Sequence, residues 1–299
     1  MRERDGRDAP GPVVVIHGGA GTRAPEIDEH QEQYRQALMA TLRRARATLE
    51  AGGGAVEAAQ AAVMFMEDEV EFFNAGRGSA LCADGSVEMS AALMRGSDQG
   101  AGAVAGVSRS RYPIAAARAV LDHSPHVLLV GTAADEYASR AGAEAREPNY
   151  FVTERQRGRL RDGGPDLDRG TVGAVCLDGD GTLAAATSTG GIRGQQAGRV
   201  GDSPLPGAGT WADRHVAVSC TGDGEAFIRS GTARHLALLV ASGASVADAA
   251  QLALADTTAL GAHGGLIALG ADGAVAAPFE AGAMPRGVWR AGEAPAVWA

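Results

Sequence analysis

Lysine is absent: the 27 cationic side chains other than histidine are all arginine. That excludes the Schiff-base chemistry of lysine aldolases and pyridoxal phosphate enzymes. It also excludes a P-loop NTPase, which needs a lysine at the phosphates. Aromatic residues make up only 4% of the chain, while Gly alone numbers 43, so the core is expected to be built from small, closely packed side chains. Cysteine is limited to Cys82, Cys176 and Cys220. An odd, widely spaced set argues for reduced thiols and a cytoplasmic setting. Cys176 and Cys220 lie in apolar runs and read as small core residues. No apolar run is long enough to span a bilayer, and the opening "MRERDGRDAPGP" has no apolar h-region. The expectation is a soluble protein with no membrane partner. No Arg-rich block resembles a nucleic-acid footprint and the net charge is -9, so nucleic acid is not expected either.

What is present suffices for a sizeable core: 299 residues, 45% hydrophobic and 21% charged, read as one domain over 1–299. "PVVVIHGG" reads as a buried strand stopped by glycines. Tyr34, Leu38, Leu42, Ala45 and Leu49 repeat at helical spacing, and a second helix runs from near Val56 to about Glu71. Gly78 to Met94 reads as two strands around an Asp84-Gly85 turn. Gly100 to Ser108 is a strand, Pro113 starts a helix through about Leu121, and His126 to Gly131 is a strand or buried segment before another helix. Residues 155–170 are charged and glycine-rich and read as an exposed, mobile linker. Thr171 opens a strand, "DGDG" turns it, and a second strand ends in hydroxyls. His215 to Glu225 is a strand entering a loop and a helix start. Helices are expected at about 225–242 and 245–259, then a closing hairpin over Gly265 to Phe279. Strands and helices fall in blocks, which favours sheets packed face to face with helices outside.

Several motifs carry little. "HGGAG" could be an esterase oxyanion loop, but no G-x-S-x-G nucleophile elbow occurs. "GAGAVAG" misses the spacing of the dinucleotide fingerprint. His123 and His126 lack a third metal ligand. The stretch from Thr171 to Glu225 carries more. Thr171, Thr189 and Thr221 lie at strand ends. Arg199 and Asp202 put one cation and one anion three apart in a loop. "TGDGE" is a glycine loop entering a helix, where backbone N–H groups can hold an oxyanion.

"IHGGAG", "FNAGRGSAL", "GAVAGVS", "SPHVLLVG", "GTVGAVCLD", "AAATSTGG", "GRVGDSPLPGAG" and "VSCTGDGE" occur in the order found in plant-type asparaginases, also called isoaspartyl peptidases. The chain resembles these threonine N-terminal-nucleophile hydrolases over about Val13 to Arg286. The resemblance implies an α+β fold, a four-layer αββα sandwich. It implies self-cleavage between Gly170 and Thr171, giving an α subunit (1–170) and a β subunit (171–299). It implies Thr171 as nucleophile, Thr189 as its hydrogen-bond partner, and Thr221 with the Gly222 N–H as oxyanion hole. It further implies Arg199 on the substrate α-carboxylate, Asp202 and the Gly224 carbonyl on the α-amino group, and Asn74 lining the site. The substrate would be L-asparagine or a β-aspartyl dipeptide, hydrolysed to aspartate plus ammonia or an amino acid. No redox or organic cofactor is implied. The family's sodium loop maps onto Glu67, Asp68, Phe73, Ala75 and Arg77, and the family's assembly is a dimer of cleaved αβ units.

The chain departs from the family in places. The "MEDEVEFFNAG" loop is one residue longer, lacks a proline, and is followed by Arg77. Ser90 and Arg95 stand where aspartates are usual, Glu280 where asparagine is usual, and an Asn-Lys pair is missing before Gly198. Two alternatives therefore accompany the leading reading: a specialised β-aspartyl amidase of a biosynthetic pathway, and an uncleaved, non-catalytic ligand-binding relative.

Overall fold

The computed structural model describes residues 10–21, 30–163 and 170–298. Strand β1 (Val13–His17) is followed by helices α1 (Gln31–Glu50) and α2 (Ala55–Asp68) and strands β2 (Met89–Arg95) and β3 (Gly100–Val107). Next come helix α3 (Pro113–His123), strand β4 (Leu128–Val130) and helices α4 (Gly131–Arg140) and α5 (Glu154–Asp162). The later part holds β5 (Thr171–Leu177), β6 (Leu183–Thr189), β7 (Thr210–Ala212), β8 (Val216–Gly222), α6 (Gly224–Ser230), α7 (Thr232–Ala241) and α8 (Val246–Thr258). Strands β9 (Gly264–Gly270), β10 (Val275–Ala276), β11 (Phe279–Glu280), β12 (Arg286–Arg290) and β13 (Ala296–Trp298) close the described chain.

Eight strands form one sheet in the order β13-β12-β1-β5-β6-β2-β3-β4. Five form a second, β10-β9-β8-β7 with β11 also on β9. All pairs are antiparallel except β3 with β4. Strand side chains alternate between faces, and both faces here are buried, so the strands read as continuous apolar runs. Val14, Ile16, Val172, Ala174, Cys176, Ala184 and Ala186 pack outward with Leu38, Leu42, Val63 and Ile114 of α1, α2 and α3. Val13, Val15, Val175, Leu177, Leu183 and Ala185 pack inward against Ala217, Ile267 and Leu269 of the smaller sheet. The outer face of that sheet, Val218, Cys220 and Leu266, meets Leu236 and Ala249 of α7 and α8. Helices, two sheets and helices make the expected four layers of an α+β sandwich.

Four local expectations change. Residues 79–88 form no strand. Instead Cys82 N–H donates to the Ser86 carbonyl, Gly85 N–H to the Cys82 carbonyl, and the Ala83 N–H to Gln195. The expected 225–242 helix is two, α6 and α7, broken where Gly231 adopts φ 59. The linker expected at 155–170 is helical through Asp162: Thr153 caps α5 by accepting from the Gln156 N–H, and Gly163 ends it in the left-handed region. Residues 164–169 lie outside the described residues. The closing hairpin continues into β12, which returns to the large sheet and pairs with β1, Val288 opposite Val15.

Candidate active site

The three threonines sit at one end of the sandwich because β5, β6 and β8 end there with these side chains on the inner face. Thr171 and Thr189 are opposite each other in the β5–β6 register, and all three are buried. Thr171 Oγ1 donates to Thr189 Oγ1 at 3.3 Å, and Thr189 Oγ1 donates to the Gly170 carbonyl at 3.3 Å. The Gly191 N–H donates to Thr189 at 3.0 Å. One hydroxyl thus links the Thr171 hydroxyl to the carbonyl of the preceding peptide bond. A further hydroxyl, Ser203 Oγ, lies 3.4 Å from Thr171 Oγ1.

Thr221 Oγ1 accepts the Ala20 N–H at 3.0 Å, which ties it to the "HGGAG" turn. Gly19 of that turn has φ 109, and a Cβ there would stand 2.8 Å from Gly170 Cα. Gly222 has φ 141, and a Cβ would run into the His263 carbonyl and Gly264. Both positions need glycine. Asn74 lies beside Gly170, whose Cβ would be 3.2 Å from Asn74 Cβ. The Asn74 Nδ2 donates to the Gly191 carbonyl at 2.7 Å, and its Oδ1 accepts the Ala80 N–H at 2.8 Å.

Arg199 and Asp202 meet over Gly224, where a Cβ would lie 2.8 Å from Asp202 Oδ1 and 3.0 Å from Arg199 Nη2. Asp202 is buried, and burial pushes its carboxyl up to about 7. Its Oδ2 has no hydrogen-bond partner. A buried carboxylate short of one partner is poised for a cation. The Arg199 fork faces the Glu225 carboxylate, Nε to Oε1 at 2.9 Å and Nη2 to Oε2 at 3.0 Å. Gly170, Thr171, Thr189, Arg199, Asp202, Ser203 and Gly222 line one cleft. With Gly170 still joined to Thr171, the room left is about 10 Å³, which is about one water.

Sequence reasoning missed Ser203 and Glu225. Both lay inside quoted motifs, "GRVGDSP" and "TGDGE", but nothing in the spacing said what they touch. The departure at Ser90 falls on β2 directly opposite Thr189, where its hydroxyl accepts the Gly106 N–H at 3.3 Å. Arg95 pairs with Asp98 at the surface.

The 67–77 loop is separate from this cleft except through Asn74. No cluster of three or more His, Cys, Asp or Glu side chains suited to a metal occurs among the described residues. The Glu67 carboxyl turns inward, accepting from Ser188 Oγ at 2.6 Å and the Ile114 N–H at 3.0 Å, and burial raises it to about 8. Asp68 accepts from Arg111 and Tyr112, and Arg77 stacks on Tyr150 at 4.8 Å. The Ala75 carbonyl accepts the Gly78 N–H at 3.0 Å. What the loop offers is carbonyls: those of Glu67 and Phe73 crowd Gly76 and Gly78, where a Cβ would collide with them.

A family model described as Asparaginase matches residues 10–298. An isoaspartyl peptidase of Escherichia coli (strain K12) is 43% identical over 303 residues, covering 95% of this chain and 94% of the relative. One of Salmonella typhimurium is 44% identical over 303 residues, covering 95% and 96%. An isoaspartyl peptidase/L-asparaginase of Homo sapiens is 39% identical over 285 residues, covering 92% of each chain.

Proposed function

The chain belongs to the asparaginase family, and from that premise we propose that it is a self-processing threonine hydrolase of L-asparagine and β-aspartyl dipeptides. The observation that carries this reading is the relay from Thr171 Oγ1 through Thr189 Oγ1 to the Gly170 carbonyl.

In the uncut chain, Thr171 Oγ1 attacks the Gly170 carbonyl carbon, which Thr189 polarises. The Gly170–Thr171 C–N bond breaks, the proton from Oγ1 goes to the threonine nitrogen, and an ester remains. Water hydrolyses it, leaving a carboxylate on Gly170 and a free α-amino group on Thr171. A threonine hydroxyl alone is a poor nucleophile. An α-amino group titrates at about 7.7–8.0, so the new N-terminus is a usable base at neutral pH.

The cut also vacates the space that Gly170 fills. An aspartyl unit then enters with its α-carboxylate on the Nη1–Nη2 edge of Arg199, beside the edge that Glu225 holds, and its α-ammonium on Asp202 Oδ2 and the Gly224 carbonyl. Thr171 Oγ1 attacks the side-chain carbonyl, and the α-amino group takes its proton. Thr221 Oγ1–H and the Gly222 N–H hold the oxyanion; losing one such donor costs about 3–4 kcal/mol. Ammonia or an amino acid leaves with the proton, and water releases aspartate from the β-aspartyl ester.

Pairing of two cleaved units, a cytoplasmic location consistent with the three thiols, and a sodium ion on the Glu67 and Phe73 carbonyls belong to the same proposal. Such an ion would stiffen the loop that carries Asn74. The experiment is intact mass and N-terminal sequence after incubation, then turnover of asparagine beside a panel of β-aspartyl dipeptides. A chain that stays whole, or a cut chain that hydrolyses no β-aspartyl compound, overturns the reading.

A further inference from the structure

One line of polar side chains runs between the sheets, one layer beneath the threonines. His17, Ser219, Thr187 and Thr210 are all fully buried. His17 Nε2 is 2.9 Å from Ser219 Oγ, which is 2.7 Å from Thr187 Oγ1. Thr210 Oγ1 is 2.7 Å from Thr187 Oγ1 and 2.9 Å from the Ser203 carbonyl. Gly173 makes the room: a Cβ there would collide with both Ser219 Oγ and His17 Nε2. That gives a physical reason for the second glycine of "GTVGAV".

The line is continuous at hydrogen-bond distances. Thr210 Oγ1 donates both to Thr187 Oγ1 and to the Ser203 carbonyl. At the other end, the Gly19 N–H donates to His17 Nδ1 at 3.3 Å. Burial keeps the imidazole neutral, lowering it to about 3 against the opposing effect of a hydrogen bond to the Thr171 backbone.

Both ends of the line touch the nucleophile's surroundings. Ser203 Oγ lies 3.4 Å from Thr171 Oγ1. His17 opens the turn in which Gly19 packs on Gly170 and the Ala20 N–H holds Thr221. Two residues beyond Gly173, Thr187 or Ser219, toward the site end of each strand, stands a site threonine on the same face: Thr171, Thr189 and Thr221.

We propose that His17 is a positioning residue for Thr171, acting through Ser219, Thr187 and Thr210 on the Ser203 backbone and its hydroxyl. The proposal rests on Thr171 being the nucleophile. Catalysis by a held nucleophile falls steeply with small misplacement, whereas Arg199, which binds substrate, lies outside the line.

The test compares wild type, His17→Phe, His17→Gln and Thr187→Val by rate of self-cleavage, kcat and KM on a β-aspartyl dipeptide, and melting temperature. His17→Phe and Thr187→Val should lose about 10- to 100-fold in kcat and in cleavage rate, with KM changed by less than about threefold. His17→Gln restores an N–H donor and should return most of the loss. Wild-type rates in both broken variants overturn the proposal. So do losses that simply follow melting temperature, with no rescue by glutamine. Should His17→Phe not fold, the near-isosteric Thr187→Val decides alone. Thr171→Ala separates the two ideas: if it cleaves and turns over normally, the nucleophile assignment itself fails.

Discussion

Asp202 is buried with one oxygen unpartnered, and its carboxyl sits at about 7 against about 3.9 in an unfolded chain. The folded state therefore holds the proton more tightly. Its penalty is absent below about pH 4, grows as pH rises, and is complete above about 7. Asp202→Asn removes this dependence, so its melting temperature relative to wild type should climb between pH 5 and 8. Parallel curves for the two proteins would show that Asp202 carries no such penalty. Arg199→Ala should raise KM for asparagine by the equivalent of about 2–3 kcal/mol. It should barely move the melting temperature, because the Glu225 partner is exposed and such pairs contribute about 0–1 kcal/mol. Unchanged KM would mean that the substrate carboxylate binds elsewhere. Thr171→Ala should stay whole and inactive, by mass and by turnover. The grouping of Thr171, Thr189, Arg199 and Asp202 in one cleft was legible because hydroxyls at strand ends and a charged pair in a glycine loop are visible in one dimension. The pairing of His17 with Ser219 was not, since 202 residues separate them and only the sandwich brings them together.

At the scale of elements, the strands were legible where both faces are apolar, as in β1, β5 and β8. They failed where a hydrogen-bonded turn replaced pairing, as at 79–88. The split of α6 from α7 was hidden because Gly231 sits in an otherwise helical pattern. Helix α3 lies so close on β3 that a Cβ at Gly102 would overlap the Ala117 carbonyl and the Leu121 backbone. Backbone cannot step aside as a side chain can. Gly102→Ala should therefore cost about 3 kcal/mol, near the upper end for overpacking, read by denaturant melts of the purified variant. A stability equal to wild type would mean that the helix rides freely on the sheet.

The whole molecule is wound so that the proposed cut does not separate it. In the large sheet, β1 from the first part lies between β12 and β5 from the second, and β6 pairs with β2. The pieces of 170 and 129 residues, set by a cut after Gly170 in the 299-residue chain, should co-elute under native conditions and part only in denaturant. Parting without denaturant would contradict the interleaved order. Neither the return of β12 nor this interleaving was visible in the sequence, where the C-terminal strands are short and look like an afterthought to the hairpin. The interleaving also gives the protein a memory of its own maturation. Before the cut, refolding from denaturant is a one-molecule event, indifferent to dilution. After it, two pieces must find each other, and recovery should slow in proportion to dilution. A peptide bond broken once would thus turn a reversible transition into one the diluted protein cannot retrace.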